Sequence, residues 1–162
     1  MKYLLLLVAF FGVLTPSHAN PALSVFSMED GCKRGAQDGA QIAVLIEKAM
    51  SLMMKGTEPE STIRKTEVKK IMNILRKKED DYNDKTEKEQ EKWIASSQTE
   101  ISDFYDRQIY KSNVAIRFIA MQSAFKIGID KGFINGVNDV SSSESRYRRE
   151  IENECRVIYN SK

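Results

Sequence analysis

Residues 114–136 read VAIRFIAMQSAFKIGIDKGFING and end in three glycines four apart, Gly128, Gly132 and Gly136. Val114, Phe118, Met121 and Phe125 recur at three- and four-residue steps, the period of a helix with one apolar face. A glycine inside a helix costs about 1 kcal/mol relative to alanine, so a ladder of three demands a compensating contact. Positions i and i+4 share a helix face, and the ladder is therefore a stripe without side chains along which another backbone can approach. A second ladder of the same spacing, Gly31, Gly35 and Gly39, lies within GCKRGAQDGAQIA. The expectation is two glycine-faced helices packed on each other, with the rest of the chain arranged around them. Both ladders fit Gly-x-x-basic-Gly-x-x-(Asp or Asn)-Gly, with Arg34 and Asp38 in the first and Lys131 and Asn135 in the second. Shared packing demands account for so short an echo; duplication or a pseudo-symmetric ligand site is the alternative.

The chain contains two cysteines, Cys32 and Cys155. It opens MKYLLLLVAFFGVLTPSHAN, where Lys2 precedes an apolar run from Tyr3 to Leu14, Pro16 breaks it, and Ser17-His18-Ala19 supplies a small-residue cleavage pattern. This reads as a secretory signal peptide over residues 1–19, with cleavage before Asn20. The run is shorter than the roughly 20 residues that a membrane span needs. A secreted or periplasmic location follows, and in such an oxidising compartment an even cysteine pair is expected to form a disulfide. The expected product, residues 20–162, is a single helical domain of 143 residues with 24 basic and 23 acidic side chains. That balance argues against nucleic acid or an anionic membrane as partner. Arg117, Lys126, Asp130 and Lys131 argue against stable membrane insertion of the most apolar later stretch.

The periodicity predicts an all-α fold, a compact bundle of four to five helices closed by one disulfide between the first and last. The segment from Asn20 to Asp30 has no clear period and reads as a lead-in. A first helix is expected from Cys32 to Met54, ended by Gly56. Its methionines, Met50, Met53 and Met54, read as core gap-fillers, with a soft binding surface as the alternative. Thr57, Pro59 and Glu60 mark the start of an amphipathic second helix. A turn is expected at Asp80 to Asn83, then a helix capped by Asp84 with Glu87 three residues on. A calcium loop here fails its template, because Tyr82 and Lys85 occupy ligand and glycine positions. One helix from Lys85 to Gly136 would be about 78 Å long, so a bend is expected near Lys111-Ser112-Asn113, the alternative being an elongated molecule that pairs with a second copy. Asn138 to Ser145 is a loop, and a closing helix capped within Ser141 to Ser143 places Tyr147, Ile151, Cys155 and Ile158 on one face. Arg146, Arg148 and Arg149 alternate with glutamates and read as surface pairing.

The only histidine, His18, lies in the leader. Its loss removes histidine-activated nucleophiles and nearly all catalytic zinc sites. No Gly-x-Ser-x-Gly elbow, phosphate loop or dinucleotide fingerprint occurs. The expectation is a non-enzyme without cofactor or metal: a small exported binding protein, such as an inhibitor, immunity protein or accessory factor, that occludes another exported protein. Trp93 and Tyr82, aromatics in the most polar region, are the expected partner contacts. A carboxylate-dependent glycan hydrolase is the enzymatic alternative, with Glu47 on an apolar helix face as its candidate, although a solvent-facing glutamate paired with a nearby lysine is the preferred reading of that residue. A chaperone-like helical homodimer is the third class.

Overall fold

The computed structural model describes residues 27–55 and 61–160, and among them are four helices and no strand. They are α1 (Met28–Met54), α2 (Ser61–Glu100), α3 (Phe104–Val137) and α4 (Glu144–Asn160). The signal peptide, the Asn20 to Phe26 part of the lead-in, and the Thr57, Pro59 and Glu60 start signals lie outside the described residues. So does Gly56.

The contact between α1 and α3 dominates the structure. A Cβ added at Gly35 would collide with the Met121 carbonyl, one at Gly31 with the Arg117 carbonyl, and one at Gly128 with the backbone of Gly39. At Gly132 it would lie 2.5 Å from the Ala43 carbonyl, and at Gly136 2.7 Å from that of Glu47. The contact points advance together along both helices, so α1 and α3 run parallel. On α3 the ladder extends upstream through Ala120 and Ala124, both fully buried, and on α1 it continues into Ala43. Rows at i±4 from both helices thus interlock, with backbone where side chains would normally stand.

α2 and α4 flank this pair on different sides and do not touch each other. Arg34 to Glu89 and Lys48 to Glu67 pairs set α2 antiparallel to α1. Cys32 and Cys155, with Cα atoms 5.7 Å apart, join α1 to α4. Around the bridge Ala36, Ala40, Ala120, Ala124, Tyr147 and Ile151 form the main core cluster. A second cluster, Ile101, Tyr110, Val114, Phe118 and Met121, holds α2 against α3.

Three boundaries differ from those the sequence suggests. α1 begins at Met28 rather than Cys32, because the Ser27 side chain accepts the Asp30 amide at 3.0 Å and Glu29 and Asp30 occupy the favourable first turn. No turn interrupts Asp80 to Asn83; α2 runs through it for 40 residues. Asp84 does not cap a helix but pairs with Lys88 one turn on at 2.8 Å, while Tyr82 stacks on Phe125 of α3. Local turn preference is weak beside such anchoring. The expected bend at Lys111-Ser112-Asn113 is also absent. The break falls at residues 101–103, where Ile101 turns into the core and Asp103 caps α3 by accepting the Asp106 amide at 3.0 Å. Tyr110 and Val114, packed against α2, keep the 111–113 turn helical.

Alanine for glycine normally stabilises a helix, yet Gly35→Ala and Gly128→Ala are expected to destabilise this one by about 1–3 kcal/mol. Gly39→Ala, whose Cβ would meet the Ala124 carbonyl at 2.9 Å, is expected to cost least. Urea unfolding of the three variants checks the order. Replacing both cysteines by serine opens a loop of sequence separation 123 and is expected to remove about 4–5 kcal/mol, read as a fall in the denaturation midpoint.

Candidate functional site

The flanking position of α2 leaves a groove of about 490 Å³ between its first half and the α1–α3 pair. α1 contributes Ile42, Ile46, Ala49, Met50 and Met53; α2 contributes Met72, Leu75, Asn73, Arg76 and Glu79; α3 contributes Phe125, Ile129 and Phe133. Its floor is closed, since Ile42, Tyr82 and Phe125 are buried as one cluster. Its rim is open: Met53, Met72 and Phe133 each expose about half of their surface. Phe125, Ile129 and Phe133 stand four residues apart beside the glycine ladder, so the packing that draws α1 onto α3 also aims these side chains towards α2. Two thioethers and an aromatic ring at the mouth suit an apolar ligand of irregular shape, because methionine adapts its rotamers to what it meets. Past the Ile42 and Phe125 floor the surface becomes polar, lined by Asp38, Gln41, Lys78, Asp81 and Lys85. The groove therefore has an apolar length and a charged end.

Tyr82 and Trp93 are not the exposed anchors that their polar neighbourhood suggests. Tyr82 is 6% exposed, its ring stacked on Phe125 at 4.1 Å, and burial, then the nearby Asp38 charge, raises its phenol above the usual range. Tyr82 serves the groove from beneath as part of its floor. Trp93 is partly buried against the second core cluster, and its indole is among the groups that favour the charged form of Glu89. The helical period carried both inward, a signal the surrounding charges masked. Conversely, Met53 and Met54 are 48% and 60% exposed, so they are not core gap-fillers. Met72 and Phe133 were not singled out by sequence; the four-residue step from Phe125 to Phe133 was the available signal.

Two polar networks brace the helices around the groove. Arg117, only 4% exposed, sets Nε 2.8 Å from Asp30 and Nη2 3.8 Å from Glu89, whose carboxylate also accepts from Arg34 at 2.7 Å. Burial works against charge on Glu89, but the Arg34 hydrogen bond and charge, the Trp93 indole and Arg117 outweigh it and hold the carboxyl below the usual range. At the other end Glu47 Oε2 accepts from Tyr147 Oη at 2.6 Å and the Ser142 amide at 3.0 Å, while Asn135 donates to Tyr147 at 2.9 Å. Burial, then the bond to Glu47, raises the Tyr147 phenol. Instead of a surface lysine, Glu47 engages the Tyr147 hydroxyl and the Ser142 amide. It ties α1 to the loop before α4.

No protein-family model, curated protein or solved structure matches this chain. Among the described residues no group of three potential metal ligands occurs, and no helix is long and apolar enough to cross a membrane.

Removing one member of a buried ion network strands its partners, so Arg117→Ala is expected to cost about 3–5 kcal/mol. A depressed carboxyl contributes stability above its ordinary value, 4.5 for glutamate, and loses it as pH falls through the folded-state value. Glu89→Gln is therefore expected to flatten the acid limb of a stability-against-pH curve, measured by chemical denaturation between neutrality and pH 3.

Proposed function

We propose that this chain is an exported binding protein that occludes another exported protein by receiving an amphipathic helix of that partner in the groove between α1, α2 and α3. The observation that carries the reading is the groove itself, with a closed apolar floor, an exposed rim of Met53, Met72 and Phe133, and a charged end. A helix laid into such a groove presents its apolar face to the floor and its polar face to water. The charged end, with Lys78, Lys85, Asp38 and Asp81, offers both signs to the flanking polar residues of the ligand and sets its register. Methionines accept more than one apolar sequence, which suits an inhibitor or accessory factor with related targets. The leader-like residues 1–19 and the Cys32–Cys155 bridge support an exported setting for the encounter.

A photo-crosslinking side chain at position 72, used in the exported fraction where the protein occurs, is expected to attach to an apolar helical segment of a second exported protein. That segment, as a synthetic peptide, is expected to bind the unmodified chain and to lose at least about tenfold in affinity to Phe133→Asp, as for removal of a hot-spot contact. Equal binding by the two proteins, or adducts confined to unrelated polar surfaces, rejects the reading.

A further inference from the structure

The charges of α2 are sorted by position. From Ser61 to Lys78 the helix carries seven basic residues against one acid, Glu67, and from Glu79 to Glu100 eight acids against three lysines. The near balance of the whole chain conceals this split. The basic half is the half that walls the groove: Met72 and Arg76 line it, and Lys65 and Lys69 fall on the same side of α2, at steps of four, three and four residues. The last turns of α1, where Met50 and Met53 line the groove, lie opposite, because Arg64 donates to the Lys55 carbonyl at 2.6 Å and Lys48 pairs with Glu67 at 3.2 Å. Lys65, Lys69 and Arg76 thus edge the apolar rim over about 16 Å, three helical turns.

Within the folded chain nothing answers these three charges. All three side chains are exposed, and none is ion-paired among the described residues. Acids on the surrounding elements are engaged elsewhere: Glu67 with Lys48, Asp139 with Lys55, and Glu47 with Tyr147 and the Ser142 amide. Lys65 and Lys69, one turn apart, repel each other along α2, an arrangement that weakens a helix and that an anion outside it offsets. We infer, resting on the groove reading above, that the helix received by the groove is acidic along the flank that faces α2, with Asp or Glu side chains at three- and four-residue steps opposite Lys65, Lys69 and Arg76. Carboxylates meeting this row speed and orient docking, whereas a basic helix in the same groove is repelled. Glu79, three residues past Arg76 on the groove wall, marks where the sign changes, so the acidic stretch of the ligand ends there. Nucleic acid would match the charge but offers no apolar face to the groove. An anionic bilayer would match it too, but cannot enter between the helices to reach the Ile42 and Phe125 floor.

Two synthetic helical peptides with the same leucines at three- and four-residue steps, one carrying glutamates and the other lysines along one flank, test the charge. Titrated into the protein with its disulfide intact, the glutamate peptide is expected to bind at least about tenfold more tightly, by a margin that shrinks as salt is added. Lys65→Glu combined with Lys69→Glu is expected to reverse the preference with unchanged helical circular dichroism, because both side chains are exposed. The neutral Phe133→Ser is expected to weaken both peptides alike. Equal binding of the two peptides, with loss at Phe133→Ser, keeps the groove and overturns its acidic ligand. Binding of neither peptide, or binding indifferent to Phe133→Ser, overturns the groove reading and the acidic ligand with it. Displacement of the glutamate peptide by vesicles of phosphatidylglycerol and phosphatidylcholine assigns the basic row to a membrane surface and likewise overturns the acidic helix.

Discussion

The rest of the structure depends on the approach of two backbones, α1 and α3, along interlocked rows of glycine and alanine. Burial of large side chains usually fixes the distance between helices. Here the absence of side chains does, because the carbonyls of Arg117, Met121, Ala43 and Glu47 lie where Cβ atoms would stand. Each glycine raises the conformational cost of folding, and close packing along the whole shared length offsets it. Because α1 and α3 are separated in sequence by the antiparallel α2, they run in the same direction, and their contact is the diagonal that an ordinary four-helix bundle leaves open.

This diagonal contact explains the shape of what surrounds it. With α1 and α3 occupying the centre, α2 and α4 cannot meet and each covers only part of the pair. α2 is long and polar, held by the Trp93, Ile94 and Tyr82 contacts, and its first half stands off to leave the groove. α4 is short and held by the Cys32–Cys155 bridge, and Tyr105, Ile109, Ile116 and Ile119 of α3 stay exposed. Both unfilled surfaces are thus products of one packing decision.

Polar tethers supply the specificity that a small-residue interface lacks. A stripe of glycines could slide by one four-residue step, but Arg117 must reach both Asp30 and Glu89, and Glu47 must reach Tyr147 and Ser142. Asp139, in a left-handed conformation with φ 51°, closes the turn after α3 and bonds Ser51 at 2.9 Å. Such contacts set register more than they add stability, since a buried charge regains from its partners roughly what desolvation costs. The disulfide lies at the end of the α1–α3 contact where Arg117 meets Asp30, and Glu47 lies at the opposite end.

Helix content, the glycine ladders, the cysteine pairing and the burial of Tyr147, Ile151 and Cys155 on α4 were legible in the sequence because each follows from spacing along one helix, whereas Ile158, on the same period, is 42% exposed. Helix ends were less so: Asp80, Asp81 and Asn83 favour a turn in isolation, and only the stacking of Tyr82 on Phe125 carries α2 through them. The break at residues 101–103 likewise depends on Ile101 finding the core. Whether a methionine or an aromatic ring is buried was decided entirely by the tertiary structure. Spacing assigns a side chain to a face of its helix, but which faces find a neighbour depends on helices distant in sequence and on how closely the central pair is able to pack.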